Sequence, residues 1–346
     1  MNFRIDRWSA AALRSSLVAV AVAGSLLLTS CGGGGGSGTN YLPTRLIAFG
    51  DEFSVIVRQS DSPLAIDAKK YGINGFTANT TTPDCYTNPL WIQIVALHYG
   101  LVFAECNDIS AASTTAFIKA AAGATVADVV TQITNFLASP SGTLVKSDLV
   151  TIMVGTNDVV QLYHSVRSGD LSEADALSQA AARGELLAQQ FDRVTRYGSN
   201  DKARALYVLI PNVGDTPFAY AEESGADGAG SRTLLTSLTR AFNDQLRSKI
   251  TINGRSIGQI NLFDTFVNIV NNAKAASKAG ILNITDSACV PDNPLQCTSL
   301  TLQPAVGTAA AATDSTWLWA KDVYFGPIGH SLLSNGAISI INNNPF

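Results

Sequence analysis

Apolar runs of strand length recur along this chain at Leu46–Phe49, Leu149–Val154, Ala205–Ile210 and Gln259–Phe263. A strand with one wet face alternates apolar and polar residues, whereas continuous runs predict strands covered on both faces, as in a parallel sheet. Between the runs the period changes to that of amphipathic helices, at Val126–Leu137, Ser172–Tyr197 and Ser231–Ile250. Ser172 with Asp175, and Ser231 at its helix start, are the residue types that cap helix N-termini. Strands alternating with helices predict a three-layer α/β/α, doubly wound parallel sheet with its functional loops at the carboxyl ends of the strands. A further strand is expected in the stretch up to Ile118. Residues 55–88 and 280–316, rich in Thr, Asn, Pro and Cys, read as irregular cover over that face. No internal repeat is evident.

Composition supports one sizeable domain, because 346 residues with 46% hydrophobic and 14% charged can bury a large core. The formal charge is −4, and setting aside residues 1–30, with Arg4, Arg7, Arg14 and Asp6, leaves about −6. Without a basic run after residue 30 there is no electrostatic footprint for nucleic acid.

The three N-terminal arginines precede "SLVAVAVAGSLLLTSC", too short for a comfortable membrane span and suited to a cleaved targeting signal. Its end, "LTSC", resembles the bacterial lipobox, which implies lipid on Cys31 and a signal peptide over residues 1–30. The open alternatives are an ordinary cleaved signal or an uncleaved anchor. The "GGGGGSG" that follows reads as a flexible tether, so residues 31–43 form a linker and 44–346 the domain. The implied partner is a membrane, reached through Cys31. Without an aspartate after that cysteine, analogy with lipoprotein sorting places the protein at the outer membrane.

Four cysteines remain, Cys85, Cys106, Cys289 and Cys297, in an oxidising compartment. Three pairings are possible, and sequence proximity favours Cys85–Cys106 and Cys289–Cys297. No CxxC occurs, and His98, His164 and His330 are far apart in sequence, so neither a metal nor another cofactor is expected.

The loops after the strands hold the candidate chemistry. The first strand runs into "FGDEFS", with Gly50-Asp51-Glu52; "AAAGATVADVV" places Gly123 just ahead of a helix; "VGTNDVV" carries Gly155-Thr156-Asn157-Asp158; and "WAKDVYFGPIGHSLLS" leads into the last helix. In this order, and with "YTNPLWIQIVALHYGL", the chain resembles the SGNH or GDSL hydrolases, esterases and lipases on a flavodoxin-like fold. The resemblance covers roughly residues 44 to 346. It implies a serine nucleophile in the first block, an oxyanion hole from that residue's amide, a glycine and the asparagine of the third block, and an Asp-x-x-His near the end.

The resemblance places Asn157 and Gly123 in the oxyanion hole and makes Asp51, Gly155 and Asp158 turn or support residues. The triad positions depart from it. Glu52 stands at the nucleophile, Tyr324 at the histidine and Lys321 at the aspartate. Acyl transfer needs a nucleophile activated by a base and oriented by a third group. A phenol with an ordinary pKa about 10 is a poor base, a lysine is a cation where an anion is required, and a glutamate can attack only to form an anhydride. The three substituted groups are expected to pair, Glu52 lying within reach of Tyr324, Lys321 or both.

Three readings follow. One is an SGNH-fold envelope lipoprotein without ester hydrolysis, a pseudoenzyme that binds a small molecule, an acyl or glycan ligand, or a partner. Another is a carboxylic-ester hydrolase with a relocated nucleophile, for which Ser54, His330 and His164 are the candidates, Asp322 being out of register and His98 a surface or core-edge residue. The third is an envelope interaction protein that makes no use of a pocket. Glycosidase-like work by Glu52 with Asp51 or Asp158 would need two carboxyls about 5–9 Å apart.

Overall fold

The structure, a computed structural model, describes residues 41–56, 71–72, 85–106, 114–197, 200–226, 228–251, 255–306 and 310–342. Cys31, the targeting segment and the glycine-rich linker lie outside the described residues. From Tyr41 onward the chain forms one compact unit.

Five parallel strands make the central sheet: β1 (Arg45–Gly50), β2 (Ala116–Ile118), β3 (Asp148–Met153), β4 (Arg204–Leu209) and β5 (Ile257–Asn261), in the order β2-β1-β3-β4-β5. Leu46 pairs with Ala116 on one side and with Leu149 on the other, and Leu206 pairs with Gly258. The apolar runs are explained by this position. Ile47, Phe49, Val150, Ile152 and Tyr207 point into one core, while Leu46, Ala48, Leu149, Met153 and Leu206 point into the other. Successive strand residues face opposite ways, so both parities must be apolar when helices cover both faces.

On the first face lie α2 (Val126–Ala138), α4 (Glu173–Thr195) and α6 (Ser231–Lys249); on the second lie α1 (Trp91–His98), α7 (Leu262–Asn271) and α9 (Pro327–Asn342). The helix α3 (Thr156–Arg167) follows β3 directly, α5 (Pro217–Ser224) follows β4, and α8 (Ala273–Lys278) follows α7. A smaller three-stranded sheet is built from β6 (Asn283–Ser287), β7 (Trp317–Lys321) and β8 (Tyr324–Phe325), so the expected irregular stretch 280–316 contains a strand. Disulfides join Cys85 to Cys106 and Cys289 to Cys297, the pairing that sequence proximity favours.

Ser172 caps α4 as expected, its hydroxyl accepting from Asp175 N at 3.1 Å. Ser231 does not cap α6. Gly230, at φ +83°, takes that position, and the Ser231 hydroxyl meets the Tyr163 hydroxyl at 2.8 Å instead. The expected strand Gln259–Phe263 also shifts, because Asn261 accepts from Asp264 N at 3.0 Å and turns the chain into α7 at Leu262. Among the described residues no helix is long and apolar enough to cross a membrane.

Candidate functional site

The end of β1 sets the position of Glu52. Gly50 has φ +137°, and a Cβ there would lie 1.9 Å from Met153 O, so only glycine lets the two strand ends pass. The Gln132 amide braces the bend, accepting from Gly50 N and donating to Gly50 O, each at 3.0 Å. Asp51 then caps one turn of 3-10 helix over Glu52–Ser54, its Oδ1 accepting from Phe53 N at 3.2 Å. That turn directs the Glu52 side chain across the carboxyl end of the sheet. Next door, β3 ends at Gly155, whose φ of +131° and contact with the Phe242 ring leave no room for a Cβ and carry the chain into α3, with Asn157 in its first turn.

There one oxygen of Glu52 meets two donors. Oε2 accepts from Gly123 N at 2.9 Å and from the Asn157 amide at 2.9 Å. The same Asn157 amide also donates to Ala124 O at 3.1 Å, which fixes its orientation. Gly123 and Asn157 are the two residues that the resemblance assigns to an oxyanion hole, and here both are engaged by a carboxylate of the chain itself. Glu52 is 1% exposed. Two N–H donors on one ionised oxygen make charge-assisted bonds, stronger than neutral ones.

The expected chain from Glu52 through Tyr324 to Lys321 is not formed. Lys321 turns outward to Asp292, 3.3 Å away. Tyr324 is half-buried, packs its ring toward Phe53 at 6.3 Å between centroids, and its phenol makes no hydrogen bond among the described residues. The physical reason is competition. Gly123 and Asn157 are held by backbone and offer Glu52 two fixed donors, while the mostly buried Lys321 side chain is paired with the exposed Asp292. Burial, with the nearby Glu52 charge adding to it, holds the Tyr324 phenol above its ordinary pKa, which removes it further from base chemistry.

The supporting aspartates are buried. Asp158 Oδ2 accepts from Val126 N at 3.0 Å and its Oδ1 faces Arg183 at 3.2 Å. Burial pushes the Asp158 carboxyl up to about 6 against the pull of Arg183. Burial, then the neighbouring Glu52, raises the Asp51 carboxyl well above the usual carboxylate range, and its Oδ2 has no hydrogen-bond partner among the described residues. Both side chains accept backbone N–H bonds, Asp51 from Phe53 and Asp158 from Val126.

No hydrogen bond joins Ser54 to a histidine among the described residues. Ser54 is fully buried, its hydroxyl accepting from the Trp91 indole at 3.3 Å. His330 is also fully buried, its Nδ1 accepting from Trp91 N at 3.4 Å and its ring edge against Phe325. Exposed His98 stacks edge-on with Tyr99 at the end of α1. Asp322 sits in the turn between β7 and β8 at φ +46°. Exposed His164 comes nearest, lining a surface hollow together with Gly123 and Asn157. Among the described residues no group of three His, Cys, Asp or Glu could hold a metal ion. Sequence reasoning passed over Gln132, Arg183 and Asp292, partners that lie 82, 25 and 29 residues from the groups they hold. No local signal marks them.

The chain belongs to the GDSL-like lipase/acylhydrolase family, which it matches over residues 46–290. That span includes Glu52, Gly123 and Asn157 and ends before Lys321 and Tyr324. Among solved structures it is similar to an acetylxylan esterase from Geobacillus stearothermophilus, at 13% identity over 87% of this chain and 96% of that one, TM-score 0.38. It is similar also to an extracellular lipase from Streptomyces rimosus, at 20% identity over 65% and 82%, TM-score 0.34. A member of the lipolytic G-D-S-L family from Veillonella parvula matches at 14% identity over 70% and 88%, TM-score 0.33. These likenesses assign no substrate and no residue roles. No curated protein matches the chain.

Proposed function

We propose that this GDSL-family protein binds a ligand or partner without hydrolysing esters, as a pseudoenzyme held at the bacterial outer membrane by lipid on Cys31. The observation that carries the first part is the pair of bonds from Gly123 N and the Asn157 amide to Glu52 Oε2. An oxyanion hole works by keeping its donors aimed at charge that develops only in the transition state. Donors already paired with a permanent anion offer no such differential stabilisation. The nucleophile position carries that anion, and neither Tyr324 nor Lys321 supplies a base or its orienting acid. The anchor rests on the sequence around Cys31. The ligand class that suits such a cleft is a small molecule, an acyl group or a glycan.

The test is a fluorophosphonate probe applied to the purified protein, with adducts located by mass spectrometry and turnover of short- and medium-chain p-nitrophenyl esters measured alongside. The expected result is neither labelling nor turnover. A labelled serine with probe-sensitive turnover would establish an esterase with a displaced nucleophile. For the anchor, metabolic fatty-acid labelling should be lost in Cys31→Ser.

A further inference from the structure

A second hollow, of about 540 Å³, lies away from Glu52, between α5 and the smaller sheet. Its size is that of a small-molecule site, for which volumes of about 300–1,000 Å³ are usual. One wall is a single helical stripe, Pro217, Tyr220, Ala221 and Ser224. The facing wall includes the consecutive β6 residues Thr285, Asp286 and Ser287 with Asn283, and Gln303 beside them and Trp317 contributing from β7. Its one charged side chain, Asp286, accepts from the Asn283 amide at 2.8 Å, and the rest are amides and hydroxyls, a set that is ordinary when it faces bulk water. Here it faces a concave space opposite an aromatic ring.

The walls are fixed relative to each other. Asp322 N donates to the Ser287 hydroxyl at 3.2 Å, and Phe218 N donates to Asp322 O at 3.3 Å, so one turn ties β6 to α5. Arg232 stacks on the Tyr220 ring at 3.9 Å and is itself held by Asp215 at 3.2 Å. The ring is therefore set in place before any ligand arrives, and Arg232 does not line the hollow. Three polar groups remain uncommitted among the described residues: the Tyr220 phenol, the Thr285 hydroxyl and the Gln303 amide make no hydrogen bond.

Chemistry narrows the ligand. Among the described residues no lysine or arginine lines the hollow, so none of them would neutralise a phosphate or carboxylate. An acyl chain would cover the three uncommitted groups, Tyr220, Thr285 and Gln303, and leave each without a partner, which is unfavourable. A neutral polyhydroxylated ring fits both halves. Its C–H face packs on an aromatic ring, and its neighbouring hydroxyls, each donor and acceptor, match an amide and two hydroxyls that are also both. We infer that the hollow between α5 and β6 is a saccharide-binding site, with Tyr220 as the stacking platform and Gln303 and Thr285 as the hydroxyl readers.

The test titrates the full-length protein with xylobiose, cellobiose and chitobiose, and with octanoate and inorganic phosphate as contrasting probes, by NMR and calorimetry. At least one disaccharide should shift the Trp317 indole resonance in a saturable way, and octanoate and phosphate should not. Tyr220→Ala and Gln303→Ala should each weaken that binding by about tenfold or more, equivalent to roughly 1.4 kcal/mol. Tyr220→Phe, which keeps the ring and its stack on Arg232, should retain most of it, so a fold defect in the alanine variant would not obscure the outcome. The assignment is overturned if no disaccharide moves Trp317, if octanoate or phosphate binds there instead, or if Gln303→Ala and both Tyr220 variants bind like the wild type.

Discussion

The Asn157 amide donates to the Glu52 carboxylate at 2.9 Å, joining residues 105 apart in sequence. With Gly123 on the same oxygen, the bond places an internal anion on donors that, in an esterase, would wait for a substrate's. The cleft's charge complementarity is thus satisfied within the chain, and this has measurable consequences for stability and for the chemistry that substitutions at the cleft can support.

Removing the carboxylate should cost stability. Glu52→Ala leaves Gly123 N–H and one Asn157 donor without their acceptor in a part-buried site beside a surface hollow, a loss toward the lower end of about 1–3 kcal/mol. Glu52→Gln keeps an acceptor oxygen and gives up only the charge, so it should cost less. Urea denaturation of the two variants checks the order, and equal stability of Glu52→Ala and wild type would contradict it.

Rebuilding the nucleophile alone should not create an esterase. Loss of a complete triad costs about 10⁶ in rate, while an oxyanion hole and binding retain roughly 10³–10⁴ over water. Glu52→Ser frees the donors yet leaves Tyr324 and Lys321 in place, so p-nitrophenyl acetate turnover should stay near background. The combination with Lys321→Asp and Tyr324→His should exceed it by at least about tenfold. Efficient turnover by the single variant would mean that another base serves the site.

Acid should reveal the buried carboxyls. Asp158 rises from its ordinary 3.8 to about 6 through burial, so the folded state binds its proton more tightly than the unfolded chain does. Its contribution to stability is fully present below about 3.8 and is lost as pH rises through about 6, a span worth roughly 3 kcal/mol. Asp51 acts in the same direction. Relative to Asp158→Asn, wild-type stability should therefore fall between pH 4 and 6. Parallel curves, or a wild type that gains on the variant, would refute the assignment.

Two glycines should respond differently to alanine. At Gly50 a Cβ meets Met153 O at 1.9 Å and φ is +137°, so Gly50→Ala must displace backbone and should cost more than about 3 kcal/mol. At Gly123 φ is +74° with nothing within 4 Å, so Gly123→Ala pays only for the left-handed conformation, about 1–2 kcal/mol. Thermal denaturation of the two variants separates them, and a Gly50→Ala protein as stable as Gly123→Ala would show that the strand ends can part.

Much of the fold is legible because the sheet is buried on both faces. Leu46–Phe49 has no polar position at either parity, which leaves little alternative to a central parallel strand. The boundaries are less legible where a side chain chooses between two backbone roles. Asn261 ends a strand by capping a helix, and Ser231 prefers Tyr163 to its own helix start. For the site, the identities of Glu52, Gly123 and Asn157 were readable from the blocks that carry them, but their mutual bonds were not. Which donor a carboxylate reaches depends on the turn at Gly50-Asp51 and on loops 71 and 105 residues away. Charge alone pointed Glu52 toward Lys321; geometry awarded it to two amides.

The position of Trp91 bears on how this molecule could change. Its indole holds the Ser54 hydroxyl and its backbone N–H holds the His330 ring, so one tryptophan occupies both a spare hydroxyl and a spare imidazole. Neither residue can be recruited to new chemistry without first repacking a fully buried side chain in the core on which α1 and α9 meet. Lys321 and Tyr324, half-buried at the β7–β8 hairpin, are the more accessible positions for introducing new chemistry, whereas the interior around Trp91 resists it.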